Sequence, residues 1–261
     1  MTKRYDNKVV IITGAGAGLG QAAALQLAKE GASLSLVDLN EDGLKETKEL
    51  ILEVAPECET LLITANCAVE EEVKNYVDET VAKFGKIDGF FNNAGVEGKQ
   101  NLTENYSSDE FKWVLDVNLN GVFYGMHYVL KVMKKQGFGS ILNCASVGGI
   151  RGVGNQSGYA ASKHGVIGLT RNSAIEYGQY NININAIAPG AFMTAMVEGS
   201  LRQMGGDNWE EVGKEFVKPN PMKRFGEPEE LGYAVAFLLS DEAKFINAEV
   251  LVIDGGQSYK Y

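Results

Sequence analysis

Lys8-Val-Val-Ile-Ile-Thr13, running directly into Gly14-Ala-Gly-Ala-Gly-Leu-Gly20, is the stretch on which the fold turns. A short β-branched run bounded by glycine reads as a buried strand, and the pattern from Gln21 to Gly31 reads as the helix after it. Strand, glycine turn and helix N-terminus together make a phosphate cradle. Glycine lets the backbone approach a pyrophosphate, while free N–H groups and the helix dipole favour the anion. The spacing is Thr-Gly-x-x-x-Gly-x-Gly, because Leu19 stands where the third glycine of a G-x-G-x-x-G string begun at Gly14 would fall. A second strand, Ser33 to Val37, ends in Asp38, 18 residues after Gly20 and close to the roughly 20 at which a carboxylate meets a ribose 2′-hydroxyl. That acid would repel a 2′-phosphate, and neither Arg nor Lys stands at Ala15, Leu39 or Asn40 to attract one. NAD rather than NADP is the expected cofactor.

Outward from this start, apolar runs alternate with helical patterns. Strands are expected near Val9–Thr13, Leu34–Val37, Thr60–Thr64, Ile87–Asn92, Ser140–Cys144, Ile182–Ile187 and Val250–Ile253. Strand–helix alternation implies right-handed crossovers and a parallel sheet covered on both faces. The expectation is therefore an α/β fold: one doubly wound Rossmann domain over residues 1–261, with a seven-stranded parallel sheet and helices on both faces. The rhythm breaks after Pro189-Gly190, where a segment of about 191–221 carries Phe192, Met193, Met196 and Trp209. Between Ala191 and Val217 it holds Glu198, Asp207, Glu210, Glu211 and Glu215 against Arg202 and Lys214, a poor landing site for an acidic carrier or a phosphorylated substrate.

Composition excludes several classes. With 45% hydrophobic and 22% charged residues, the 261-residue chain reads as a soluble enzyme, and no apolar run approaches a membrane span. A net charge of −10 disfavours nucleic acid and anionic membrane as partners. The polar opening from Met1 to Asn7 leaves no room for a signal peptide, and with Cys58, Cys67 and Cys144 odd in number and widely spaced, a reduced cytoplasmic protein is expected. Neither these cysteines nor His127 and His164 have metal-ligand spacing, so no metal is expected.

Chemistry is offered by Ser146 and by Tyr159 with Lys163 in Ser157-Gly-Tyr-Ala-Ala-Ser-Lys-His-Gly165. Tyr and Lys four residues apart share a helix face, and an ammonium beside a phenol lowers its pKa toward a useful range. The plainer alternative is a surface helix that carries both by chance. Ser146 follows the fifth strand, where ligands of open α/β sheets bind, and its hydroxyl can donate to a carbonyl oxygen. Asn92-Asn93-Ala94-Gly95 follows the fourth strand, and its small residues would let a nucleotide approach the backbone.

The ordered set Thr13–Gly20, Asn92-Asn-Ala-Gly95, Asn118, Ser146, Tyr159-x-x-x-Lys163 and Pro189-Gly190, through Val252-Ile-Asp-Gly-Gly256, resembles the short-chain dehydrogenase/reductase family over essentially the whole chain. The resemblance implies a catalytic group of Asn118, Ser146, Tyr159 and Lys163. Tyr159 would exchange a proton with the substrate, Lys163 would also hold the nicotinamide ribose, and Asn118 would hold a water that links Lys163 to solvent. It implies that Gly14, Gly18, Leu19, Gly20, Asp38, Asn93, Ala94, Gly95, Pro189, Gly190 and Thr194 contact the cofactor, Thr194 through its carboxamide. Asn66 stands where the family usually has an Asp facing the adenine, and its amide oxygen could still accept that hydrogen bond, so it too is expected to contact the cofactor. The segment after Gly190 corresponds to the family's mobile lid; a packed pair of surface helices is the alternative.

Two stretches, Asp88–Asn101 and Ser146–Tyr159, look most like a family member acting on a cyclic diketone. The expected reaction is the interconversion of a secondary alcohol and a small, cyclic ketone. Sugar or polyol dehydrogenation is the alternative, and a non-catalytic NAD-sensing module a different class. A methyltransferase would have no use for the Tyr–Lys pair. The substrate pocket is expected between Val147–Val153, Val96-Glu97-Gly98 and a lid wall of Phe192, Met196 and Trp209. Glu97, Arg151, Asn155 and Gln156 would supply its few polar contacts. The family's habit of pairing through the helices around Ser107–Lys135 and Ser157–Tyr177, together with Trp113, Phe123, Tyr124, Met126 and Tyr128 on the first of them, implies a homotetramer.

Overall fold

β-Branched runs form the strands β1 (Val9–Thr13), β2 (Ser33–Asp38), β3 (Thr60–Thr64), β4 (Gly89–Asn92), β5 (Gly139–Cys144), β6 (Ile182–Pro189) and β7 (Val250–Ile253) of a computed structural model that describes residues 3–259. Met1 and Thr2 of the polar opening, and Lys260 and Tyr261, lie outside the described residues. Between the strands run α1 (Gly18–Lys29), α2 (Glu41–Val54), α3 (Glu70–Phe84), α4 (Ser108–Leu115), α5 (Gly121–Gln136), α6 (Ser157–Tyr177), α7 (Ala195–Gly205), α8 (Trp209–Val217) and α9 (Pro228–Leu238). The sheet order is β3-β2-β1-β4-β5-β6-β7, parallel throughout, with Val10 registered against Leu34 on one side and Gly89 on the other. The order reverses between β1 and β4, so a crevice opens there at the carboxyl ends of the strands.

Every residue of β1 is buried, as a central strand with two covered faces requires. Its alternation assigns the layers: Val10 and Ile12 pack with Leu27 of α1, Leu44 of α2 and Val235 of α9. Ile11 packs with Tyr76 of α3, Val129 of α5 and Val166 of α6. Each such aliphatic side chain contributes roughly 1.5–3 kcal/mol by burial.

Local signals place the helices. Asn40 caps α2 by accepting the Gly43 N–H at 3.2 Å, with Glu41 and Asp42 in the first turn, and α9 starts with Pro228 inside a Glu227/Glu230 capping box. α1 is different: it begins inside the glycine run, and its N-cap Ala17 offers no side-chain bond, so its first N–H groups stay available to a ligand.

Two expectations need correction. The helix over Ser107–Lys135 is not uniform, because a π-helical turn, Asp116–Asn120, separates α4 from α5. Met126 does not face outward; it falls on the buried stripe of α5 with Val122, Val129 and Met133 and is 3% exposed.

Candidate active site

The crevice is a cleft of about 270 Å³ whose lining includes the glycine turn, Asp38, Asn93–Val96, Ser146, Tyr159, Lys163, Pro189-Gly190 and Thr194–Val197. Its first half is made of backbone. Gly20 packs so tightly beneath the turn that a Cβ there would lie 2.0 Å from the Gly14 carbonyl oxygen. Thr13 Oγ1 accepts the N–H groups of Asn93 and Ala94 at 2.9 and 3.0 Å, and Asn93 Nδ2 donates to the Thr13 carbonyl at 2.9 Å. These bonds pin the loop after β4 to the turn after β1. Asp38 Oδ2 accepts the Gly16 N–H and Oδ1 the Asn40 N–H, each at 2.9 Å, which fixes a carboxylate at the end of β2 with no Lys or Arg ion-paired to it among the described residues.

The second half is made of side chains. Ser146, 7% exposed at the end of β5, accepts the Gly148 N–H at 3.0 Å and lines the same cleft as Tyr159. One turn along α6, Lys163 is 4% exposed, and its Nζ donates to the Cys144 carbonyl at 2.8 Å while standing 5.7 Å from the Tyr159 ring centre. Burial pushes the Tyr159 pKa up; the nearby Ser146 hydroxyl opposes this, and the Cys144 thiol and Glu97 add to it. Burial likewise pushes Lys163 down. The expected lowering of the phenol by the ammonium is therefore overturned here: Lys163 spends its nearest contact on a carbonyl, and desolvation of the phenolate wins.

Asn118 lies in the π turn, fully buried, and grips Val96: Oδ1 accepts its N–H and Nδ2 donates to its carbonyl, both at 2.7 Å. A third contact runs from Nδ2 to Ser162 Oγ at 3.2 Å. The amide thus bonds to the facing loop, not to its own helix. A Cβ on Gly95 would come within 3.1 Å of Asn118 Oδ1 and 3.4 Å of Lys163 Nζ, so glycine lets both reach the cleft.

Not every expected residue faces the cleft. Asn66 turns back on its own loop, with Oδ1 accepting the Ala68 N–H at 3.0 Å. Arg151 points to the C-terminal tail, its Nη1 donating to the Gln257 carbonyl at 3.3 Å. Trp209 is not in the wall; it lies beneath the Arg202 guanidinium, 4.9 Å from its ring centre. Phe192 lines the cleft but is 4% exposed and belongs to the core, where its ring covers Gly226 and backbone bonds from Met193 and to Ala191 stitch the base of the α7–α8 segment. Met196 lines the cleft and is 42% exposed. Thr194 lines it too, and its Oγ1 caps α7 by accepting the Val197 N–H at 3.4 Å.

Glu97 sits just outside the cleft, taking hydrogen bonds from Gln156 Nε2 and from Gln100 Nε2 at 3.4 Å; burial pushes its carboxyl up against these bonds. Sequence reasoning missed Thr13 as a staple between two loops, although a hydroxyl at the end of a strand before glycine is a visible signal. It also missed Gln100 and Gln203, which join loop to helix and carry no pattern.

A family model described as enoyl-(acyl carrier protein) reductase matches residues 14–258. Levodione reductase of Leifsonia aquatica is 56% identical over 260 residues, 100% of this chain and 97% of that protein. The crystal structure of levodione reductase superposes with a TM-score of 0.98, covering 98% of this chain and 100% of the other. Cyclohexanol dehydrogenase of Acinetobacter sp. (strain SE19) is 41% identical over 260 residues, covering 100% and 98%. The crystal structure of NAD+-bound xylitol dehydrogenase, 35% identical, matches with a TM-score of 0.92 over 97% of this chain and 100% of that one.

Proposed function

The chain belongs to the short-chain dehydrogenase/reductase family, and on that premise we propose that it is an NAD-dependent oxidoreductase interconverting a secondary alcohol and a small cyclic ketone. One observation carries the reading: Ser146, Tyr159 and Lys163 open into the same cleft as the glycine turn and Asp38. The cradle under Gly20, the uncapped start of α1 and the Asp38 carboxylate fit a dinucleotide with a free 2′-hydroxyl. Gly14, Gly18, Leu19, Asn93, Ala94, Gly95, Pro189, Gly190 and Thr194 would hold it. NADH, when bound, supplies the hydride. The chain's own part is to orient the ketone and manage its proton.

Ser146 and Tyr159 would donate hydrogen bonds to the carbonyl oxygen, and Tyr159 would pass its phenolic proton to that oxygen as negative charge develops there. A phenol whose pKa is raised by burial keeps its proton until an alkoxide forms, which suits the reduction direction. Lys163 keeps donors beyond the Cys144 bond for the ribose hydroxyls. Asn118, by gripping Val96 and Ser162, would hold the floor of the site and its proton path.

The names levodione reductase and cyclohexanol dehydrogenase support a ring substrate. The xylitol dehydrogenase match and the polar group of Glu97, Gln100 and Gln156 favour a polyol as second reading. Among the described residues no helix is long and apolar enough to cross a membrane, and three free cysteines support a reducing, cytoplasmic location. Phe123 on α5, Ile175 on α6 and Phe245 beyond α9, at 48, 80 and 103% exposure, support pairing of copies into a homotetramer. Steady-state kinetics with NADH and NADPH, across cyclohexanone, a cyclic diketone, xylitol and glucose, test the proposal. The highest kcat/KM is expected with NADH and a ring ketone; a higher value for xylitol or glucose would replace it with the polyol reading, and no turnover at all would favour an NAD-sensing module.

A further inference from the structure

Beside the cleft runs an open groove whose lining includes Val96, Glu97, Trp113, Met196, Gly199 and Gln203. Gly95, Val96, Ala195 and Met196 line both spaces, so the groove lies directly against the cleft. Its two large apolar side chains are half exposed, Trp113 at 47% and Met196 at 42%. The walls are braced. Glu110 Oε1 accepts the Lys99 N–H at 2.7 Å and joins the loop to α4, while Gln203 accepts the Gln100 N–H at 3.0 Å and donates to the Gly98 carbonyl at 3.4 Å. That last pair joins the loop to α7 at Gln203.

Gly199 supplies an independent observation. It lies inside α7, where glycine disfavours the helix. It is not among the positive-φ glycines, and a Cβ built on it would meet no atom within 4 Å. Neither backbone conformation nor packing calls for glycine at this position. Because it lines the groove, any side chain there would occupy the groove.

From these observations we propose that the groove is an outer substrate subsite that takes an apolar ring or branched substituent on the ketone, with Trp113 and Met196 as its walls and Gly199 as the residue that keeps it open. The proposal rests on the ketone-reductase reading above and names the shape of substrate it serves: a ketone longer than one bare ring. A polyol would find Glu97, Lys99, Glu110 and Gln203 along this path, of which Glu110 and Gln203 already bond the loop.

The test compares kcat/KM for 4-phenylcyclohexanone and cyclohexanone in the wild type, Gly199→Leu and Trp113→Ala. The wild type should favour the phenyl compound by about tenfold or more, the range expected when an apolar group finds a pocket. Gly199→Leu should erase that preference while leaving cyclohexanone within about twofold, since leucine suits a helix better than glycine. Trp113→Ala should reduce the preference several-fold.

A binding measurement separates the two proposals. Trp113 and Trp209 are the only tryptophans, so Trp209→Phe makes emission report on Trp113 alone. Addition of 4-phenylcyclohexanone with NADH should shift that emission, and Gly199→Leu should abolish the shift. Absence of ketone turnover together with a Gly199-dependent shift would sink the functional reading and keep the subsite. Turnover of both ketones at an unchanged ratio in both variants, with no emission shift, would overturn the subsite. A change of oligomeric mass in Gly199→Leu at an unchanged ratio would likewise overturn it and assign the groove to a second copy of the chain.

Discussion

The two sides of the cleft are held by different kinds of bond. On the dinucleotide side, close backbone approach does the holding: Gly20 under the Gly14 carbonyl, Thr13 on the amides of Asn93 and Ala94, and Asp38 on the amides of Gly16 and Asn40. On the substrate side, long polar side chains hold loop to helix, through Gln100, Gln156, Ser200 and Gln203. Backbone contacts tolerate almost no added volume, whereas side-chain contacts can be lost one at a time for about 0.5–1.5 kcal/mol each. One side is therefore a fixed cradle, and the other can change its substrate without losing its cofactor.

The largest expected effect is at Gly20. Gly20→Val would drive carbon into the Gly14 carbonyl, so the variant should fail to fold or should bind NADH at least about 100-fold more weakly by titration calorimetry. Unchanged NADH affinity would break the claim that the cradle is rigid. Next is cofactor choice. Asp38→Ala with Leu39→Arg should move the kcat/KM ratio toward NADPH by about 100-fold, since repulsion gives way to a charge-assisted partner. Part of the NADH activity should also fall, because Gly16 and Asn40 lose their acceptor; a ratio that does not move would show that Asp38 does not read the ribose.

A smaller effect is expected on the substrate side. Gln203→Ala frees the Gln100 N–H and the Gly98 carbonyl, and should raise the ketone KM by about 3- to 10-fold while NADH binding stays constant. A matching loss of NADH affinity would show that the two sides are not separate.

The smallest concerns Glu97. Its folded pKa is raised by burial, so the ionised form is disfavoured in the folded protein. Stability from this group is greatest below the unfolded value of about 4.3 and is lost as pH rises through the raised folded value. Glu97→Gln should remove that decline and raise Tm by about 2 °C at pH 8 relative to wild type, with little change at pH 4. A gain at pH 4 and none at pH 8 would reverse the sign of the argument.

The same contrast explains what could be read from the chain. The cradle was legible because its geometry depends on glycine positions and on the alternation of Val10, Ile11 and Ile12, which are local properties of sequence. Ser146, Tyr159 and Lys163 were legible because strand end and helix periodicity bring them together. The proposed substrate wall was not. Arg151 and Trp209 were near in sequence and face elsewhere, while Trp113 reached the groove only because α4 docks on the Val96–Lys99 loop. The π turn at Asp116–Asn120 has no sequence signature, yet it carries the buried Asn118. The direction of the Tyr159 pKa was also hidden, since helix spacing shows that Lys163 is near but not that its ammonium bonds the Cys144 carbonyl.

The most direct test of the account is Tyr159→Phe, measured with NADH and a ring ketone. The phenol is the proposed proton donor and the substitution removes little volume, so kcat should fall by about 100-fold or more while the NADH Kd stays within about twofold of wild type. Near-normal turnover by the Phe variant would contradict the assignment of Tyr159 and, with it, the proposed chemistry of the cleft.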